Sequence, residues 1–202
     1  HPVAAALHPH VRKAQHRTRR QGRARRAVEL HAVRPPDLDV QLEAVARLSR
    51  AGWRVVLATN QPGLGRGLFD VATLNAIHAR LHKQLAALGG RLDAIFYCPH
   101  TIDNACNCCK PAPGLLAQIC DRYHLDPRTV PVVGSCAAHL QAGAALGAPL
   151  HLVGSGDCTA SNRALPLPAD TQRHADLAAA VDSLLAHAAP ATPKPARAVA
   201  SA

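Results

Sequence analysis

The sequence predicts an α/β protein built on a doubly wound parallel sheet, and three observations carry that prediction. Short apolar runs at 54–59, 94–97, 130–134 and 150–153 lack the polar alternation of a half-exposed strand, as expected of parallel strands covered on both faces. Segments with helical apolar spacing separate them, and Gly or Pro marks most of the boundaries. With 202 residues, 48% of them apolar, the chain is long enough to bury one core of this kind. Such alternation requires right-handed crossovers, places helices on both faces, and puts any ligand site at the carboxyl ends of the strands.

Taken in order, ordered structure is expected from Val40. Leu42, Val45 and Leu48 line one face of a first helix that stops at Gly52, a residue suited to the left-handed position after a helix. The strand 54–59 (Arg-Val-Val-Leu-Ala-Thr) follows, then the glycine-rich turn Asn60-Gln61-Pro62-Gly63-Leu64-Gly65-Arg66-Gly67. A helix over 70–88 places Leu74, Ile77, Leu81 and Leu85 on its buried stripe and ends at Gly89-Gly90. The strand 94–97 enters the cysteine-rich stretch 98–111. Pro113 suits a first helical turn, so 115–123 is predicted helical. Strand 130–134, helix 137–146, strand 150–153 and an amphipathic helix 175–186 complete the pattern. The domain organisation expected is a basic disordered arm over 1–39, an α/β domain over 40–187 and a flexible Ala/Pro tail over 188–202.

The charge is concentrated at one end. Residues 1–35 hold nine Lys or Arg (Arg12, Lys13, Arg17, Arg19, Arg20, Arg23, Arg25, Arg26, Arg34) against Glu29 alone, a net +8 of the total +10. This segment has no apolar period from which to predict an element. A nucleic-acid role for it would require stacking residues or a recognisable module, and it has no aromatic residue. No apolar run reaches membrane-spanning length, so a soluble protein is expected. Seven cysteines without a signal peptide point to a reducing cytoplasm. The absence of Met and the His at position 1 suggest a processed chain or an incomplete reading of a gene.

The chemistry sits in Cys98-Pro-His-Thr-Ile-Asp-Asn-Ala-Cys-Asn-Cys-Cys-Lys-Pro111. Cys98, His100, Cys106 and Cys108 form two close pairs, and three thiolates with one imidazole complete a tetrahedral set for Zn²⁺ with no position left for a reacting water. That argues for a structural zinc site; the alternative is a group of metal-free loop cysteines. Thr59, Asn60, Lys110 and Gly134 all fall at or just past carboxyl ends of predicted strands. A hydroxyl, an amide, loop N–H groups and an ammonium meeting there would make a phosphate pocket, whereas each residue alone reads equally as a strand end or a solvated lysine.

These residues also carry a resemblance. Ala58-Thr59-Asn60-Gln61 with Gly63 and Arg66-Gly67, Phe96-Tyr97-Cys98-Pro99-His100, Cys106-Asn107-Cys108 with Lys110-Pro111, and Val132-Val133-Gly134 with Leu140-Gln141-Ala142-Gly143 resemble the D-glycero-D-manno-heptose 1,7-bisphosphate 7-phosphatases of the haloacid dehalogenase superfamily. The resemblance covers roughly residues 40–155. It implies a haloacid dehalogenase-type Rossmann-like fold, a small sugar-phosphate substrate, cytoplasmic ADP-heptose synthesis for the lipopolysaccharide core, and a monomer. It further implies that Thr59 and Lys110 stabilise the transferring phosphoryl group. Asn60, Gln61 and Pro62 would contact substrate, as would Cys109 at the position of a substrate-recognising Arg.

The family attacks phosphorus with an Asp on the first strand, uses a second Asp as acid/base and holds Mg²⁺ with a further Asp. None is found in place. The Asp-x-Asp position aligns near Arg17-Thr18-Arg19-Arg20, and the fourth motif reads Gly134-Ser135-Cys136-Ala137-Ala138-His139, with Ser135 where a magnesium carboxylate is expected. Asp-Arg-Asp-Gly in GC-rich codons, read one base out of frame, gives Arg-Pro-Arg-Arg, so residues 1–39 also read as an out-of-frame arm and the first strand as lost. Asp37-Leu38-Asp39 reads as the acidic start of a helix. The sequence therefore predicts a phosphatase-like chain that lacks its nucleophile and its magnesium site and is catalytically inactive. The alternative is a zinc-stabilised, non-catalytic sugar-phosphate-binding protein.

Overall fold

The computed structural model describes residues 27–30, 38–101, 103–154 and 165–188. Six strands form one parallel sheet in the order β3-β2-β1-β4-β5-β6. They are β1 (Ala27–Leu30), β2 (Arg54–Asn60), β3 (Ala94–Cys98), β4 (Val132–Gly134), β5 (Leu150–Val153) and β6 (Gln172–His174). The helices are α1 (Leu38–Arg50), a single turn α2 (Pro62–Gly65), α3 (Val71–Ala87), α4 (Gly114–Tyr123), α5 (Ala137–Ala144) and α6 (Leu177–Ala188). The doubly wound sheet expected from the sequence is present. The order in which successive strands are added reverses between β1 and β4, which is where such sheets open a crevice at their carboxyl edge.

Alternation along the strands divides the core into two layers. Val55 and Leu57 of β2, with Val133 and Val153, face a layer containing Leu42, Val45 and Leu48 of α1, Leu85 of α3, and Val181 and Leu184 of α6. Val132, Leu150 and Leu152 face the other way, against Leu116 and Cys120 of α4 and Leu140 of α5. Val56 and Ala58, on that same side of β2, pack with Cys98 and with Leu115 and Ile119 of α4. Successive side chains of a strand point to opposite faces, so each short apolar run feeds both layers at once. Helix α1 ends as its sequence predicts, with Gly52 at φ +85°. Asp70 caps α3 by accepting from the Thr73 N–H at 2.8 Å.

The structure departs from the sequence reading in several places. Residues 27–30, placed in a disordered arm, form β1. It pairs in parallel with β2 (Leu30 opposite Leu57) and with β4 (Leu30 opposite Val133). The first strand is therefore not lost, and the exposed sheet edges its loss would have created are filled. Four residues beside a basic run show no period of their own, and the pairing comes from the two neighbouring strands. Helix α1 also begins two residues before Val40, and Asp39 stands exposed in its first turn. On α3, Leu74 and Leu85 are buried, but Ile77 is 56% exposed and does not belong to the buried stripe. Strand β6 is an unforeseen edge strand paired with β5 (Leu152 opposite Arg173). Arg17 to Arg20, Asp37 and the Ala/Pro tail past 188 lie outside the described residues.

Candidate functional site

At the carboxyl end of β2 the chain emerges as Thr59-Asn60-Gln61 beside the loop that follows β3. Thr59 and Lys110 are each only 5% exposed. The Lys110 Nζ donates to the Ala58 carbonyl at 2.9 Å. Its main chain is clasped by one side chain: the Asn60 Oδ1 accepts from the Lys110 N–H at 3.1 Å, and the Asn60 Nδ2 donates to the Lys110 carbonyl at 3.2 Å. Asn60 Nδ2 also lies 3.4 Å from the Cys109 sulfur. The Gln61 Nε2 donates to the Thr59 hydroxyl at 3.4 Å, and the Gln61 N–H donates to the Cys98 carbonyl at 2.8 Å. Pro62 opens α2.

These contacts bring Thr59, Asn60, Gln61, Cys109 and Lys110 to one place, as the sequence predicts. The donor and acceptor groups of the Asn60 amide hold the lysine loop, a role the sequence reading does not include. The Ala58 carbonyl, which anchors the ammonium, could not have been found from sequence, because any residue supplies one. The buried Thr59 and Lys110 place a hydroxyl and an ammonium at this corner, groups suited to an anion.

The cysteine loop is equally convergent. The ligand atoms of Cys98, His100, Cys106 and Cys108 all lie within 4.8 Å of one another, a set that could hold a metal ion. Cys98 Sγ is 3.2 Å from Cys108 Sγ and 3.8 Å from Cys106 Sγ, and His100 Nδ1 is 3.3 Å from Cys108 Sγ. Burial, then the neighbouring sulfurs, pushes the Cys108 thiol up to about 12, and burial raises Cys98 as well. Three thiols this close resist ionising together unless a cation joins them. The loop is seated by Gly114, whose N–H donates to the Asn107 carbonyl at 2.8 Å; a Cβ at 114 would lie 2.3 Å from that oxygen.

Beyond β4 the chain runs Ser135-Cys136 into α5. Cys136 is buried with its sulfur 2.7 Å from His139 Nδ1. Burial raises the thiol, while the His139 and Ala138 N–H groups and the Lys110 charge oppose that rise. The C-x-x-H spacing of Cys136 and His139 is visible in sequence, yet only the fold reveals it as a contact. A hard cation such as Mg²⁺ takes oxygen ligands. Among the described residues no Asp or Glu directly follows β2, β3 or β4, and the end of β4 offers a hydroxyl, a thiol and an imidazole. Those three groups are poor ligands for magnesium; the residues that follow β1 lie outside the described residues. No helix among them is long and apolar enough to cross a membrane.

Comparison with known proteins agrees with this architecture. The sequence profile of the haloacid dehalogenase-like hydrolases matches residues 4–147. A D-glycero-β-D-manno-heptose-1,7-bisphosphate 7-phosphatase of Bordetella bronchiseptica is 48% identical over 160 residues, covering 77% of this chain and 89% of its own. Its counterpart in Pseudomonas aeruginosa is 44% identical over 144 residues, covering 71% and 80%. The crystal structure of D,D-heptose 1,7-bisphosphate phosphatase from B. bronchiseptica, complexed with magnesium and phosphate, superposes with a TM-score of 0.72 at 43% identity, over 80% of this chain and 99% of that one. The corresponding phosphatase from Burkholderia thailandensis gives 0.61 at 42% identity over the same shares.

Proposed function

The chain belongs to the haloacid dehalogenase-like hydrolase family, and from that premise we propose that it binds a heptose 1,7-bisphosphate in the manner of its phosphatase relatives but is impaired in hydrolysing it. The observation that carries the reading is the buried Lys110, held by Ala58 and Asn60 beside Thr59, while Ser135 follows β4 where the resemblance expects a magnesium carboxylate. Lys110 and Thr59 supply the positive charge and the hydroxyl that neutralise phosphoryl oxygens. Gln61, Pro62 and Cys109 border the sugar. Cys98, His100, Cys106 and Cys108 hold a structural zinc ion that keeps the lysine loop in shape.

Phosphoryl transfer in this family needs a carboxylate nucleophile, and groups that act as a unit leave little activity when one is missing. The inherited pathway is ADP-heptose synthesis for lipopolysaccharide. The deciding experiment measures phosphate release from D-glycero-β-D-manno-heptose 1,7-bisphosphate with excess Mg²⁺, on protein carrying one zinc per chain. Binding of the bisphosphate without turnover is expected. Turnover at the rate of an ordinary phosphatase would overturn the impairment and direct attention to Asp37, whose segment follows β1.

A further inference from the structure

At the other edge of the sheet, by the amino ends of the strands, lies a cavity of about 230 Å³ that the phosphatase reading does not use. Trp53, Pro149, His151, Gln172, Leu184 and His187 border it. Two of these are imidazoles, contributed by different elements, and each has one ring nitrogen already held. The His187 Nδ1 is 2.7 Å from the Ser183 carbonyl, which can only accept, so Nδ1 carries the proton and Nε2 is left with its lone pair. The His151 Nδ1 is 3.0 Å from the Nε2 of His174, a residue that does not border the cavity. When His151 donates in that bond, its own Nε2 is bare as well.

The buried His151 is only 4% exposed, yet no buried side-chain nitrogen or oxygen among the described residues lacks a hydrogen-bond partner. Its Nε2, which no described group bonds, is therefore reached by solvent, and the cavity is the opening its ring borders. An imidazole whose far nitrogen donates to a fixed acceptor is the arrangement that orients histidines toward a metal ion, with the acceptor selecting the tautomer. Ser183 plays that part for His187, and His174 plays it for His151 in the tautomer whose Nδ1 carries the proton. The Gln172 amide adds an oxygen on the same wall. Imidazole donors suit the borderline divalent ions, Zn²⁺, Ni²⁺ and Co²⁺, in preference to Mg²⁺ or Ca²⁺.

We propose that His151 and His187, with Gln172, form a second divalent transition-metal site that ties β5 and β6 to α6 at the amino edge of the sheet, opposite the carboxyl edge that holds the phosphate corner. It is separate from the cysteine loop in ligands and in place, and it does not depend on whether the chain hydrolyses a bisphosphate. Water completes the coordination, since the exposed His187 leaves one side of the site open.

The chain provides its own reporter, because Trp53 is the one tryptophan in the sequence and borders this cavity. Full-length protein carrying one zinc per chain is titrated with Ni²⁺ while tryptophan fluorescence is followed. The proposal expects saturable quenching that excess Zn²⁺ reverses, together with a zinc-dependent rise in melting temperature. His187→Ala, at an exposed position where the fold should be indifferent, is expected to weaken the quenching at least tenfold. Cys98→Ser should leave it intact. Quenching of equal strength in His187→Ala, or no saturable quenching of the unmodified chain, would overturn the site. So would loss of quenching in a folded Cys98→Ser variant, which would assign the effect to the loop.

Discussion

Replacing Asn60 with alanine tests the joint on which the phosphate corner depends. One amide closes two hydrogen bonds on the main chain of Lys110, at 3.1 and 3.2 Å. A net hydrogen bond contributes about 1 kcal/mol, and a buried main-chain group left without a partner costs about 1–3 kcal/mol. Lys110 is 5% exposed, so water cannot easily replace the lost partner. Two bonds at that scale, allowing for some relaxation of the loop, put the cost at about 2–3 kcal/mol. The loss should appear first as local opening of the lysine loop, because the flanking strands keep their own ladders. Amide hydrogen exchange should therefore show the Lys110 N–H losing protection by roughly 30-fold or more, and calorimetry should show phosphate binding weakened in parallel. Asn60→Asp keeps the acceptor for the Lys110 N–H and should fall between the two. Exchange at Lys110 within a factor of two of the parent, together with unchanged phosphate affinity, would refute the assignment of Asn60 as the clasp.

Further outcomes follow from the same geometry. Lys110→Met keeps the buried stem and removes the ammonium, so stability should change little while phosphate affinity falls at least tenfold by calorimetry. Gly114→Ala forces a Cβ to within 2.3 Å of the Asn107 carbonyl, between two of the loop cysteines, and should weaken zinc retention in a chelator competition by about tenfold or more. Burial, with smaller contributions from His174 and His187, holds His151 down to about 4 from 6.5. It folds neutral, so its contribution is complete above pH 6.5 and lost as pH falls toward 4, about 3 kcal/mol over that window. Urea midpoints of protein carrying only the loop zinc should fall between pH 7.5 and 5, and His151→Phe should flatten that dependence. An unchanged slope in the variant would remove His151 as its source.

Much of the fold is written in local chemistry. The apolar runs of β2, β4 and β5, the helical stripes of α1 and α4, and the stop at Gly52 each follow from residues acting on their immediate neighbours. The cluster of Cys98, His100, Cys106 and Cys108 was equally legible, because all four residues lie within eleven positions and chain connectivity alone keeps them close. Thr59 and Lys110 were identifiable from their places at strand ends. What bound them together was not, since the clasp runs from Asn60 to a main chain fifty residues away and the ammonium rests on a carbonyl that any residue would offer.

Tertiary structure decided the remainder. Ala27–Leu30 is a strand because β2 and β4 present edges on either side of it, and four residues cannot show that in isolation. Pairing across the sheet likewise made β6 an edge strand and turned two distant imidazoles, His151 and His187, toward one cavity. Sequence fixes what a segment can do with its neighbours in the chain. Which strands stand side by side, and which buried polar atoms must then find one another, is settled only when the sheet closes around them.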